Sequence, residues 1–339
     1  MKHERLFADK QHPIFVLGIL QRSGTNYLNN LLLLHPDVQP PGLVWEDFFL
    51  AHSDLLRDYT ESVQRRWPPE VTRDVSNELG QNALFRELGN GLLSFMEAQY
   101  RDRLAKGVFP MPAQTPVKLV AATPSVRNLH LFFDLFPNAA PIIIVRDGRA
   151  VVESGVRSFN WDYGEAMRMW ANGAQVILDF CRNPKHDGKF LVVRYEDLYT
   201  RTEEQMRRVL DFLGLPSDTY DFHAADHLDI MGSSELVQTR GSVHWKAVDK
   251  SPNFNPLARA TDWSSNLKSR FKWIAGKQML ELGYSVDDVA DKQSWNRFMD
   301  RIYGAGTKVN HRSRVASALI QAWRYRMLQV PKQNRTRSN

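Results

Sequence analysis

Four short, apolar, β-branched runs punctuate the chain: IFVLGI (14–19), VKLVA (117–121), PIIIV (141–145) and KFLVVR (189–194). Stretches with helical periodicity separate them, at 25–34, 83–105, 125–136, 147–157, 163–182 and 203–213. Runs this short, with so little polar alternation, need cover on both faces, and the intervening helices supply it. The pattern predicts an α/β fold of three layers, a parallel sheet with helices on both faces. In such sheets ligands sit beyond the C-terminal ends of strands, where the chain turns into a helix. Two turns qualify, after Ile19 and after Val145.

At 339 residues, 43% of them hydrophobic, the chain can bury one large core. Residues 1–303 read as the main domain, with an insertion at 39–82 lying over the ligand-bearing edge of the sheet. Long loops are expected over 214–262, rich in Ser, Asn, Asp and Pro, and helical patterns at 263–283 and 292–303 close the body. Residues 304–339 read as a basic C-terminal helix and tail. The single cysteine, Cys181, excludes an intramolecular disulfide framework and a cysteine-rich metal site. The opening MKHERLFADKQH lacks a signal peptide's apolar stretch, and AAPIIIV (139–145) is too short to span a bilayer. A soluble, cytoplasmic protein is the expectation.

Charge is unevenly placed. Residues 301–339 carry nine Lys and Arg and no acid, so the overall +6 less these nine leaves −3 for residues 1–300. A nucleic-acid-binding body would need a basic stripe of its own, which the total does not supply, so no nucleic-acid partner is expected. In the tail, Val315, Leu319, Ala322, Trp323, Met327 and Val330 fall near helical spacing among arginines. The stripe is narrow, which favours a helix packed on the body over peripheral contact with an anionic membrane.

The first turn, HPIFVLGILQRSGTNYLNNLL (12–32), runs a strand through Gln21–Gly24 into a helix opened by Thr25. Amides at a helix start hold anions, assisted by the macrodipole. Gly24 permits close approach, Ser23 and Thr25 offer hydroxyls, and Arg22 adds a planar cationic fork. The triphosphate-binding pattern G-x-x-x-x-G-K-[ST] is not met: Gly18 and Gly24 are one residue too far apart, and Thr25 stands where the lysine should. In the second turn, IIIVRDGRAVVESGVRSF (142–159), Arg146 ends a strand and Ser154 follows about two helical turns later. Both can close on a second phosphate-like group with Arg149 and Arg157 nearby; the alternative is a solvated turn in which Asp147 pairs with Arg146 or Arg149.

In these motifs the sequence resembles the sulfotransferases that use 3′-phosphoadenosine-5′-phosphosulfate. QRSGTNYL with HPDV (21–28 and 35–38) resembles their 5′-phosphosulfate loop, in the arginine form of the tyrosylprotein branch. FPNAAPIIIVRDGRAVVES (136–154) resembles the 3′-phosphate motif, VVRYEDL (192–198) the next strand and turn, and TRGSVHWK (239–246) the late loop over the 3′-phosphate. The resemblance spans about residues 12–285 and implies a P-loop NTPase-like sulfotransferase fold. It implies that Arg22, Ser23, Gly24, Thr25, Asn26, Arg146, Ser154, Tyr195 and Arg240 hold the nucleotide. It further implies a sulfuryl transfer to a hydroxyl, less readily an amine, that needs no metal, with Arg22 stabilising the leaving phosphate.

Glu46, in GLVWEDFF, stands where that branch keeps a glutamate base; otherwise Glu46 or Asp47 caps the following helix, and His52 and His130 are the next candidates. Many relatives carry a lysine two residues before a strand-ending proline, where this chain has Ala122, so Lys118, Arg127 or Lys246 would have to substitute. The expected acceptor is a carbohydrate, lipid or small metabolite. Two other classes stay open: a P-loop kinase or NTPase, against the missing lysine, and a non-catalytic binder of nucleotide or glycan.

Overall fold

The computed structural model describes residues 6–44, 46–229, 255–287 and 297. Arg240 and the rest of the late loop, the helical pattern at 292–303 apart from Arg297, the boundary at 303 and the basic tail lie outside these described residues. From the N-terminus run β1 (Ile14–Gly18), α1 (Thr25–Leu32), β2 (Val38–Gln39), α2 (Ser53–Gln64), α3 (Pro69–Leu79) and α4 (Ala83–Ala105). Next come β3 (Lys118–Thr123), α5 (Phe132–Leu135), β4 (Ala140–Val145), α6 (Gly148–Phe159) and α7 (Tyr163–Cys181). The series ends with β5 (Leu191–Arg194), α8 (Tyr195–Thr200), α9 (Thr202–Leu213), α10 (Phe222–Asp226) and α11 (Ser265–Glu281).

The strands form one five-stranded parallel sheet in the order β2-β3-β1-β4-β5. β1 is central: Val16 lies opposite Ala122 of β3 on one side and Ile142 of β4 on the other. The chain fills one side of β1 and then crosses to the other, so a topological switch point lies beside β1, where open sheets of this type place ligands. Successive strand residues face opposite layers. Phe15, Leu17, Ala121, Ile143 and Val145 point into a core with residues of α4, α6, α7 and α11. Ile14, Val16, Ala122, Ile142 and Ile144 point into a second core with residues of α1 and α9. All of β1, β3 and β4 is buried, which is why those runs read as apolar without alternation. Among the described residues no helix is long and apolar enough to cross a membrane.

Several expected elements differ. The 39–82 stretch, read as an insertion, contains the last residue of β2 together with α2 and α3; α3 buries no residue, although Val71, Val75 and Leu79 recur along it at helical spacing. The helix expected over 125–136 shrinks to a 3₁₀ turn at 129–131 followed by α5. Asn128 precedes that turn at φ 62, a left-handed conformation that no α-helix passes through. The 214–262 region, expected as long loops, includes α10.

Phe15 shows how much the centre of the sheet carries. Fully buried, its ring stacks on Phe136 (centroids 4.9 Å) and meets Phe132 edge-on (5.5 Å). Phe15→Ala is expected to lower the unfolding free energy by about 3–5 kcal/mol, read from the urea midpoint at unchanged slope.

Candidate active site

β1 and β4 end side by side, and the Ile19 amide donates to the Ile144 carbonyl at 3.2 Å. The two turns expected to hold anions are therefore neighbours. In the first, Ser23 is fully buried: its amide donates to the Leu20 carbonyl at 3.2 Å, and its hydroxyl accepts from the Leu20 amide at 3.1 Å and donates to the same carbonyl. Its hydroxyl, expected to face an anion, shapes the turn instead. Gly24, at φ 102, caps α1 without any side-chain bond, and the first turn holds no acid. The amides of Thr25, Asn26 and Tyr27 have no intrahelical acceptor, which leaves a positive helix end at this edge.

Arg22 sits at φ 74, a left-handed conformation that costs a non-glycine residue about 1–2 kcal/mol. Its side chain reaches α6, where Nε donates to Ser154 Oγ at 3.0 Å and the guanidinium lies 5.7 Å from the Phe159 ring. Arg146, the first residue after β4, is only 4% exposed. Nη1 donates to the Arg22 carbonyl at 3.0 Å, Nη2 to the Pro256 carbonyl at 2.6 Å, and the guanidinium lies 4.2 Å from the Tyr195 ring centroid. The Trp170 indole donates to the Arg146 carbonyl at 3.1 Å. Among the described residues no carboxylate pairs with Arg146, and its buried Nε has no hydrogen-bond partner. A buried cation without a counter-charge is costly, so this arrangement suits a site that an anion completes.

Ser154, fully buried on α6, accepts from Arg22 Nε and, at 2.6 Å, from Arg259 Nη1. Both acceptor positions of the hydroxyl are thereby used, and its proton remains available to donate. Arg149 and Arg157, expected nearby as further cations, are held by carboxylates instead. Arg149 pairs with Asp147 at 2.6 Å and Asp287 at 2.9 Å, and Arg157 with Glu153 at 2.7 Å. Glu153 also accepts from Tyr163 Oη and Trp263 Nε1, both at 2.8 Å. Burial alone would raise its carboxyl, but these three donors outweigh burial and hold it below the usual range. The bond to Trp263 anchors residues 255–264 on α6, which brings in the Pro256 carbonyl and Arg259. Sequence reasoning missed Arg259, an isolated arginine in a loop-rich stretch with no motif spacing around it.

Tyr195 joins the two turns. Only 7% exposed, it presents its ring face to Arg146 and packs so closely on Gly24 that a Cβ there would lie 2.4 Å from its Cδ2.

The expected base lies at the same edge. Asp47 Oδ2 accepts from Thr123 Oγ1 at 3.0 Å and Oδ1 from the Phe49 amide at 2.8 Å. Thr123 ends β3 opposite Leu17, so residues 46–47 are pinned beside the first turn. Burial pushes the Asp47 carboxyl up to about 6 despite those two bonds. Burial first, and the Asp47 charge second, push Glu46 up to about 7. Neither residue caps a helix: α2 starts at Ser53, with Asp54 the acid of its first turn. His52 and His130 are exposed.

None of the described stand-ins for the missing lysine reaches this edge. Lys118 is buried at the opposite end of β3, its Nζ donating to the Lys10 and Gln11 carbonyls, and Arg127 is tied to Asp54 on the surface. Lys246 lies outside the described residues. Ala122 itself faces the core beneath α1.

A family model described as "Sulfotransferase family" matches residues 13–219. The protein-tyrosine sulfotransferase of Drosophila melanogaster is 26% identical over 80% of this chain and 49% of its own length. Protein-tyrosine sulfotransferase A of Caenorhabditis elegans is 26% identical over 63% of this chain and 53% of its own. The chain thus spans about half the length of these curated relatives. Among solved structures, the sulfotransferase domain of the curacin biosynthetic pathway is 19% identical, with a TM-score of 0.46 over 82% of this chain and 100% of that one.

Gly24→Ala tests how tightly the turns are joined. Left-handed backbone alone costs about 1–2 kcal/mol, and Tyr195 must also move, so the variant should unfold at clearly lower urea concentration than wild type.

Proposed function

The chain belongs to the sulfotransferase family, and from that premise we propose that it moves a sulfuryl group from 3′-phosphoadenosine-5′-phosphosulfate to a hydroxyl acceptor. The observation that carries this reading is Arg146: a buried guanidinium without a carboxylate partner among the described residues, tied through Arg22 and Ser154 to the neighbouring helix-opening turn. One nucleotide carrying phosphate at both its 3′ and 5′ positions supplies anions to both.

In this reading Arg146 and Ser154 hold the 3′-phosphate, with Tyr195 fixing Arg146. The amides at Thr25 and Asn26 receive the 5′ end in the turn shaped by Ser23 and Gly24. Arg240 stays part of the proposal from its motif alone. The transfer breaks a sulfur–oxygen bond to the phosphate and forms one to the acceptor oxygen. Arg22 and the turn amides stabilise charge that builds on the phosphate oxygens, a contribution of about 3–4 kcal/mol per well-placed donor. Glu46 takes the acceptor's proton, worth on the order of 10²–10⁴ in rate.

The acceptor is proposed to be a phenol, with peptide tyrosine first. Two considerations support it. The curated relatives are named as protein-tyrosine sulfotransferases. A carboxylate pushed up to about 7 also lies close to a phenol near 10 and far from the weakly acidic hydroxyls of sugars and lipids. This replaces the carbohydrate, lipid or metabolite acceptor expected from sequence.

A thermal shift experiment separates this reading from a P-loop NTPase. Adenosine 3′,5′-bisphosphate at about a hundred times its Kd should stabilise the protein by about 2.7 kcal/mol, a rise of several degrees in Tm, whereas MgATP should shift it little. The reverse order would favour the NTPase.

The base has its own test. Glu46 accepts a proton only when ionised, so kcat/KM should fall as pH drops below about 7. Glu46→Gln should lower kcat by about 10²–10⁴ while bisphosphate binding persists. An unchanged acidic limb in this variant would remove Glu46 from the role.

A further inference from the structure

We infer that Asp47 is a positioning residue for the base: its carboxylate ties Glu46 to the buried end of β3, and its charge makes the neighbouring carboxyl hold a proton more tightly. The inference rests on the reading above, in which Glu46 takes the acceptor's proton, and gives a role to the acid beside it.

The geometry starts from where the chain is fixed. Downstream of Asp47, Phe49 packs against the core and Leu50 is fully buried. Upstream, Leu43 and Val44 are exposed. Glu46 therefore sits at the margin between an exposed stretch and an anchored one, and Asp47 makes the anchor. Its Oδ2 accepts from Thr123 Oγ1 at 3.0 Å, and Thr123, fully buried, is the last residue of β3. Its Oδ1 accepts from the Phe49 amide at 2.8 Å, closing a turn over Phe48, whose φ of 54 is left-handed. A bulky residue enters that region only when its surroundings hold it there. The Asp47 carboxylate does so with one oxygen on the strand end and the other on the turn.

The electrostatics follow from the same placement. The partners of Asp47 are a hydroxyl and an amide, both neutral, and among the described residues neither acid has a cationic partner. Asp47 is accordingly the charge that acts on Glu46, second to burial in pushing that carboxyl up to about 7. A base of higher proton affinity draws the proton from a phenol near 10 more effectively, provided it is still ionised. Holding and tuning thus fall to one side chain.

A ¹³C NMR titration of the full chain, labelled at its glutamate carboxyls, reads Glu46 directly, with Glu46→Gln identifying its signal. Asp47→Asn keeps an acceptor for the Phe49 amide and a group that can bond Thr123, and removes only the charge. Its Glu46 midpoint should fall by about one pH unit, because burial persists. Asp47→Ala removes the anchor as well, so water should reach the carboxyl and the midpoint should drop further, towards the ordinary value of about 4.3. A midpoint still near 7 in Asp47→Asn would overturn the inference, and so would coinciding midpoints in the two variants. The titration needs neither donor nor acceptor, so its outcome is separate from that of the base reading, which falls if the acidic limb of kcat/KM survives Glu46→Gln.

Discussion

The burial of the Arg146 guanidinium organises this molecule. Removing a charge from water costs several kcal/mol even after relaxation, and here no acid among the described residues repays it. The protein offers partial substitutes: the carbonyls of Arg22 and Pro256 and the face of Tyr195. Each substitute comes from a different part of the chain, respectively the first turn, the 255–264 segment and the start of α8. Holding Arg146 therefore pulls together the elements that a nucleotide would have to touch. The remaining deficit, at Nε, is what a bound anion can make good.

The partners of the arginines sort them by task. Arg149 and Arg157 each meet a carboxylate and serve as fasteners for α6 and its surroundings. Arg146 meets carbonyls, neutral partners that leave its charge without a carboxylate among the described residues, while Arg22 and Arg259 both donate to the Ser154 hydroxyl. The acids show a similar division. Glu153 is held ionised by three donors and positions Trp263, while Glu46 and Asp47 are raised by burial at the mouth of the first turn. Cationic and protonatable groups thus occupy neighbouring strand ends, which is the layout a transfer between an anionic donor and a hydroxyl requires.

Much of this was legible in the sequence, for physical reasons that can be named. Strands buried on both faces left unbroken apolar runs, and α4 was delimited at 83–105 by its own periodicity. The two turns, with Arg22, Arg146 and Ser154, come together because β1 and β4 are adjacent and end in register, and Tyr195 joins them because β5 ends beside β4. Other features left no local trace. β2 is only two residues long. Arg259 and Asp47 acquire their places through contacts with residues more than seventy positions away, Ser154 and Thr123, which no spacing rule anticipates. Ser23 misled because a serine in a glycine turn can bond the turn itself as readily as a ligand.

The most direct test is a crystal structure of the full chain with adenosine 3′,5′-bisphosphate. The account predicts a single nucleotide bridging both strand ends, with one phosphate bonded to Arg146 and Ser154 Oγ and the other at the amides following Gly24. A nucleotide bound at another face, or one engaging only one of the two turns, would contradict it.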